Sequence, residues 1–305
     1  MIIMDFWIQV LLLSVLFDIL FGEPPAFIHP VVWMGKMIYL FVRLAPVRFR
    51  KLYGLLMVIF CVVLAALAGV VVMLLGTGIP GLIIAAFFLK STFSIRMLLK
   101  SALGIKKDLE EGRIEKVRGE LKTFVGRDTS GLDMHKSASA VIESVAESFV
   151  DGILSPFFYF LLLGLPGALA YRMINTLDSM VGYKKEPYLE LGYASARLDD
   201  IVNWLPARLS IIFILIASIL FGKPFDALKT CLSDHNKTAS PNSGWQMAAV
   251  SGALQVRLEK IGYHVLGARY DEPQPFQIRK AVNIVGFSSF LVIAGVYFIG
   301  KVPLV

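Results

Sequence analysis

The sequence predicts an all-α polytopic membrane protein with about six membrane segments and long helical cytoplasmic segments. Hydrophobic residues fill 56% of the 305 positions and charged residues only 17%, against about 25% charge in soluble domains. Mean hydropathy is +0.70. Uncharged runs recur along the chain, and a hydrocarbon core about 30 Å thick takes roughly 20 apolar helical residues. The same figures exclude disorder, collagen and coiled coil. Cys61 and Cys231 alone make neither a disulfide framework nor a thiolate metal site. The net charge of +7 suits basic cytoplasmic loops better than nucleic-acid binding.

The run Ile2 to Phe21 carries Asp5 and Asp18. With no basic n-region and no small-residue cleavage site before it, it is expected to be a retained helix. Lys36, Arg43, Arg48, Arg50 and Lys51 follow, which places the first loop in the cytoplasm. Leu52 to Leu75 is the clearest span, and Ile79 to Ile95 returns from it through Gly76-Thr77-Gly78 if Lys90 is tolerated near one end. Ile105 to Thr123 mixes both charge signs densely and reads as a solvated amphipathic helix pair. Gly152 to Tyr171 is uncharged but contains Gly164-Leu165-Pro166-Gly167, which kinks or breaks a helix. A full crossing there would put Arg172, Lys184, Lys185 and Arg197 outside, against the positive-inside rule. A re-entrant hairpin would keep both ends cytoplasmic. Between Arg208 and Lys223 the apolar stretch is short, so that span must tilt, recruit Trp204 and Leu205, or re-enter. Ala281 to Gly300 closes the set. The chain is expected to be one integral membrane domain over residues 1–305, with polar segments 96–152 and 223–280 contributing the site.

From Ser137 to Tyr171 there are three carboxylates, Glu143, Glu147 and Asp151, and no Lys or Arg. At i, i+4, i+8 they share one helix face. Like charges so spaced cost a few tenths of a kcal/mol each in water, and more near a membrane. A divalent cation, a substrate amine or basic residues from elsewhere should compensate. The plain alternative is a solvated acidic face. Asp199 and Asn203, and likewise Asn175 and Asp178, are spaced like oxygen ligands of a hard cation. Asp199 could instead cap the following span, and Asp178 could pair with Arg172. Gly126 to Asp133 (Gly-Arg-Asp-Thr-Ser-Gly-Leu-Asp) suits an anion before a helix N-terminus, although Thr129, Ser130 or Asp133 could simply be caps. Ser240-Pro241-Asn242-Ser243-Gly244-Trp245 has similar loop character. His29, before Pro30, is unusual so close to a membrane, whereas His135 and His264 read as ordinary polar side chains. Zinc-ligand spacing, a nucleophile elbow and a Walker-type phosphate loop are all missing.

Taken in order, these segments resemble one family. His29-Pro30-Val31 with Met34-Gly35, Gly126-Arg127-Asp128-Thr129, Glu143-Ser144-Val145-Ala146-Glu147-Ser148 with Asp151-Gly152, and Pro156-Phe157-Phe158-Tyr159 carry the likeness. So do Tyr171-Arg172 with Asn175-Thr176-Leu177-Asp178, Ala196-Arg197-Leu198-Asp199-Asp200 with Asn203-Trp204-Leu205-Pro206-Ala207-Arg208, and Ser240-Pro241-Asn242 with Gly244-Trp245 and Gly252-Ala253-Leu254. The chain is similar to the CbiB/CobD family, the adenosylcobinamide-phosphate synthases of cobalamin biosynthesis. One departure is Gly22-Glu23-Pro24-Pro25, where the family has Gly-Asp-Pro. The resemblance implies an ATP-dependent ligase in the cytoplasmic membrane, with its active site facing the cytoplasm. It would join adenosylcobyric acid to (R)-1-amino-2-propanol O-2-phosphate, or to the free aminoalcohol, giving adenosylcobinamide phosphate. It further implies Mg²⁺ and ATP, a lipid bilayer, and other membrane proteins of the pathway as partners.

Residues and resemblance together nominate Glu147, Asp199 and Asp200 as catalytic, and Glu143, Glu147, Asp151 and Asp178 as metal ligands. Arg127, Asp128, Thr129, Arg172, Arg197, Arg208, Asn242 and His29 are nominated for substrate and phosphate. Two rival readings stand beside the ligase. Asp199-Asp200 with Asn203, and Asn175 with Asp178, are also similar to the diphosphate motifs of an intramembrane Mg²⁺-dependent prenyltransferase, but they fall outside any clean span. A corrinoid or metal transporter would usually show paired halves, and no internal symmetry is visible.

Overall fold

The computed structural model describes residues 2–76, 78–125, 129–183 and 185–301. In chain order the helices are α1 (Ile2–Phe21), α2 (Pro30–Arg43), α3 (Arg50–Leu74), α4 (Ile79–Lys90), α5 (Ile95–Glu110), α6 (Ile114–Phe124) and α7 (Met134–Phe149). A π turn (Val150–Leu154) leads into α8 (Ser155–Val181), followed by α9 (Tyr188–Leu191), α10 (Tyr193–Val202), α11 (Trp204–Phe221), α12 (Pro224–Asp234) and α13 (Ser243–Leu254). A two-stranded hairpin, β1 (Leu258–Lys260) and β2 (His264–Leu266), precedes α14 (Pro275–Ile299). Five helical stretches are long and apolar enough to cross a membrane, and Phe6–Phe21 is a shorter apolar helix. This is an all-α polytopic membrane protein. The chain divides into two compact units, one drawn from Met1–Ser94, Ser155–Asn203 and Ile293–Val305, the other from Ile95–Leu154 and Trp204–Val292.

In the first unit α3 packs along α8, and α1 packs against α4. Gly69 makes the α3–α8 contact: a Cβ there would lie 2.6 Å from Pro166 Cα. The Gly-Leu-Pro-Gly stretch does break the helix, with Gly164 at φ 65° and ψ −156°. The break is a reversal. Tyr159 and Tyr171 stack with centroids 5.3 Å apart and planes 11° apart, whereas twelve residues of straight helix would separate them by about 18 Å. The uncharged run therefore forms a helical hairpin that reverses at Gly164.

Lys90 is accommodated by charge. Its Nζ lies 3.2 Å from Asp18 and 3.0 Å from Glu23, with Lys90 and Asp18 side chains each 2% exposed. Burial alone would push the Glu23 carboxyl up, but hydrogen bonds from His29 and Lys90 bring it down to about 2. Replacing Lys90 by Met would leave two acidic groups around an uncharged side chain, and breaking such a buried pair costs about 3–5 kcal/mol. Lys90→Met is therefore expected to lower the melting temperature in detergent sharply, with Asp18→Asn in the same chain restoring part of the loss. Unchanged melting would show that the ion cluster is not structural.

The second unit is organised on α13, which is buried along almost its whole length and packs on α7, α11 and α12. A Cβ at Gly252 would lie 2.7 Å from Thr230 Oγ1, so glycine permits the close α12–α13 contact. α5 and α6 form the expected amphipathic pair, packed on one another and on α7. α11 begins at Trp204, so the short apolar stretch gains length by recruiting Trp204 and Leu205. The β hairpin lies on α7, where Ser139 Oγ accepts from the Glu259 amide at 2.9 Å. Asp234 fastens the following loop by accepting from the Gly267 amide at 2.7 Å.

Candidate functional site

Each unit carries its own cluster of polar residues. In the first, the α8 hairpin and α10 converge on Asn203. Asn203 Oδ1 accepts from Ser155 Oγ at 2.7 Å and from Tyr171 OH at 2.9 Å. With both donors on the oxygen, the amide can only turn Nδ2 outward, where it donates to Asp199 Oδ2 at 3.0 Å. Asp199 Oδ1 is sealed from solvent and meets no hydrogen bond of good geometry among the described residues. Burial, then the nearby charge of Asp178, push the Asp199 carboxyl up to about 7, against hydrogen bonding from Asn203 and Asn175, with Asp200 adding a smaller upward push. Arg172 donates to Asn175 Oδ1 at 3.3 Å. Asp178, Asp199 and Asp200 are thus grouped in one unit, but Asn203 meets Asp199 through its nitrogen, so its oxygen is not turned to a shared cation as the spacing suggested. Among the described residues no group of three or more His, Cys, Asp and Glu side chains could by itself hold a metal. Mg²⁺, however, keeps several waters and needs only one or two carboxylates. A sealed, unsatisfied oxygen beside a second carboxylate has the donor chemistry for it.

In the second unit a cavity of about 230 Å³ opens among α7, the start of α13 and the β hairpin. Glu143 and Glu147, one turn apart on α7, form its acidic wall. Lys260 and His264, directly paired across the hairpin register, line it as well. Thr238, Ser240 and Ser243 bring hydroxyls to the N-terminus of α13, where the helix dipole favours an anion. His264 Nε2 is buried without a hydrogen bond among the described residues and points toward Glu143 Oε1 at 3.7 Å. The acidic stripe therefore has a basic partner, brought by a strand more than a hundred positions later. Asp151 does not extend the stripe in regular fashion: it lies in the π turn, where 3.6-residue arithmetic no longer applies. Asp178 belongs to the other unit, with Asp199 and Asp200.

Other nominated residues have structural work. His29 caps α2, its Nδ1 accepting from the Val31 amide at 3.2 Å, while Nε2 meets Glu23 at 3.0 Å. Thr129 Oγ1 donates to the Arg118 carbonyl at 2.8 Å, and Asp133 is the cap of α7. Arg208 sits over the Trp204 ring at 4.3 Å and the Trp245 ring at 5.1 Å, and donates to Asn242 Oδ1 at 3.2 Å. That draws the Asn-Trp-Leu-Pro-Ala-Arg and Pro-Asn-Ser-Gly-Trp segments together. Arg197 lies over the Tyr193 ring at 5.6 Å. Arg127 and Asp128 lie outside the described residues. Sequence reasoning missed His264, Lys260 and Thr238 as site residues; alternation in the short run around His264 could have flagged a hairpin, but nothing local ties it to Glu143.

Comparison with known proteins gives a consistent result. A relative from Dehalococcoides mccartyi (strain CBDB1), named "Cobalamin biosynthesis protein CobD", is 45% identical over 269 residues, covering 85% of this chain and 86% of its own. One of the same name from Klebsiella pneumoniae subsp. pneumoniae is 40% identical, covering 79% of this chain and 78% of its own. A "Probable cobalamin biosynthesis protein CobD" from Methanothrix thermoacetophila is 39% identical, covering 91% and 92%. No solved structure matches the chain. The family model described as CobD/Cbib protein matches residues 11–285, so the ordered motifs and the likeness over nearly the full length converge: the chain belongs to the CobD/Cbib family.

Proposed function

We propose that the protein is a cobalamin-biosynthesis ligase that uses ATP and Mg²⁺ to join a carboxyl of adenosylcobyric acid to (R)-1-amino-2-propanol O-2-phosphate. The observation that carries this reading is the two-signed cavity of the second unit. An aminoalcohol phosphate has a cationic amine at one end and an anionic phosphate at the other. The cavity is lined by two carboxylates, Glu143 and Glu147, and also by Lys260, three hydroxyls and a helix N-terminus. At about 230 Å³ it suits this small substrate and not a corrin. The carboxyl of the corrinoid gains a leaving group from ATP, commonly as an acyl phosphate. One proton of the ammonium first passes to a base, the neutral amine attacks the carbonyl carbon, and the C–O bond to phosphate breaks as the nitrogen gives its second proton to the departing phosphate. Glu147, exposed within the cavity, is that base, and Glu143 with His264 fixes the amine's direction. Asp178 and Asp199 would hold Mg²⁺, which when bound neutralises the phosphates of ATP.

Purified protein in detergent, supplied with adenosylcobyric acid, aminopropanol phosphate, ATP and Mg²⁺, should yield adenosylcobinamide phosphate. Product without ATP, or none at all, would defeat the ligase.

The active site faces the cytoplasm in this reading, because the basic segments lie there. Cys61 and Cys231 are both buried, so an impermeant maleimide meets little background. Cysteines placed at the exposed positions Glu111 and Ile261 should stay unlabelled in intact cells and label after lysis. Labelling from outside would reverse the orientation.

A further inference from the structure

α12 buries one side and leaves an apolar surface on the other. Its buried residues are Ala227, Thr230, Cys231 and Asp234, and the helix packs on α13. On the opposite side Phe225 is 87% exposed, Leu228 40% and Leu232 61%. At i, i+3 and i+7 these three share one helix face, and a contiguous apolar stripe marks a surface that something covers. The polar residues of α12 do not interrupt it. Asp226 is turned to the protein, accepting from Gln255 Nε2 at 3.1 Å, and Ser233 Oγ donates to the Thr230 carbonyl at 3.2 Å. Lys229 is exposed at the edge of the stripe, where its stem can lie on apolar surface while its ammonium reaches outward.

What covers the stripe follows from the direction of the chain. Arg208, near the start of α11, donates to Asn242 and lies over the Trp245 ring at the start of α13. Past the other end of α11, the Lys223 amide donates to the Ala253 carbonyl at 2.9 Å, at the end of α13. α13 therefore runs parallel to α11. α12 begins beside that same Ala253 and ends where a Cβ on Gly244 would collide with the His235 carbonyl. It thus runs back antiparallel, and its 11 residues are about 16 Å of helix packed beside a span. Ile212, Ile216, Ile219 and Leu220 stand exposed along α11, so the α12 stripe lies at the depth of a lipid-facing surface. A soluble partner would have to enter hydrocarbon to reach it, whereas lipid already surrounds α11. We infer that acyl chains of the bilayer cover Phe225, Leu228 and Leu232, so that α11 and α12 form a membrane-embedded helical hairpin. The return arm leads to the cavity: from Leu232 the chain passes through the short turn His235–Lys237 to Thr238 in its lining. The inference goes beyond the ligase reading and stands apart from it, since it concerns only what covers α12.

The test uses the full chain in phosphatidylcholine nanodiscs, with one polarity-sensitive fluorophore attached through a cysteine at Leu228, Leu232 or Ser233 in turn. Both native cysteines are buried and should react little. Ser233 is exposed but lies about 100° round the helix from Leu232. Phospholipid with a nitroxide on its acyl chain should quench the probes at Leu228 and Leu232 several-fold more than the probe at Ser233. Iodide, which stays in water, should reverse that order. Melting curves of the labelled proteins show that the fold is kept, and Phe225, the most exposed of the three, replaces any position whose label disturbs it. Quenching of the stripe by iodide and not by nitroxide would put it in water and overturn the inference. Protection from both quenchers would overturn it as well, because protein, a second copy or another chain, would then be the cover. Equal nitroxide quenching at all three positions would deny the helix the orientation that the inference requires.

Discussion

Asp199→Asn should lower Mg²⁺-dependent ligation turnover by at least about 10–100-fold, the loss that follows even when a group merely supporting a metal ligand is removed, while making the protein more stable at alkaline pH. The two effects have one cause. Burial and the charge of Asp178 raise the Asp199 carboxyl to about 7 from an ordinary value of 3.8. A carboxyl raised on folding binds its proton more tightly in the folded state. Stability therefore falls as pH climbs between about 4 and 7, and above 7 the folded chain carries the full cost of an ionised, crowded carboxylate. Asparagine keeps the shape and can still meet Asn203, but carries no charge. Wild type and variant should melt together near pH 4, and the variant should melt higher at pH 8. Mg²⁺ added at pH 8 should raise the wild-type melting temperature and leave that of the variant unmoved. This readout needs no turnover. Full activity with an unchanged response to Mg²⁺ would remove Asp199 from the metal site, and a variant that melts lower at pH 8 would contradict the repulsion itself.

What the chain states locally could be read locally. Apolar runs, the Gly-Leu-Pro-Gly break, the caps at Asp133 and the recruitment of Trp204 into α11 each follow from a window of a few residues. The sign of the reversal at Gly164 did not, because a kink and a hairpin share the same local signal; only the stacking of Tyr159 on Tyr171 separates them. That Asp199 and Asn203 meet was legible because they lie one helical turn apart, but not that Asn203 turns its nitrogen, and not its oxygen, toward the carboxylate. The partner of Glu143 was not, because His264 arrives on a hairpin whose register no spacing rule links to α7. The surroundings of the nominated arginines were equally out of local reach. Side-chain chemistry marks Arg208 as a phosphate fork, but the structure surrounds it with Trp204, Trp245 and Asn242, and those contacts are tertiary. Lys90 was legible only as a difficulty. Its resolution lies in Asp18 and Glu23, which sequence distance keeps far away.

The two-signed cavity makes a prediction that separates its walls. Lys260→Met removes the cation on the phosphate side and keeps the aliphatic stem. The apparent KM for aminopropanol phosphate should rise roughly 10–100-fold, the equivalent of one charge-assisted hydrogen bond, while kinetics with free aminopropanol change little. Glu147→Gln keeps volume and helix propensity but removes both the charge and the base. It should depress kcat/KM with both amines by about 10²-fold or more, because each delivers an ammonium that must lose a proton. A solvated acidic face predicts the reverse for Glu147→Gln, since relieving one of two like charges a turn apart is neutral or stabilises by a few tenths of a kcal/mol. Glu115→Gln, on the exposed face of α6 and paired with Arg118 at its surface, is the control and should leave both reactions unchanged. The measurement is initial rate against each amine at saturating ATP and adenosylcobyric acid, with melting curves to show that the variants fold. If Lys260→Met affects both amines equally, the phosphate is not read at this wall. If Glu147→Gln then retains full turnover, the cavity is not where the amide is made.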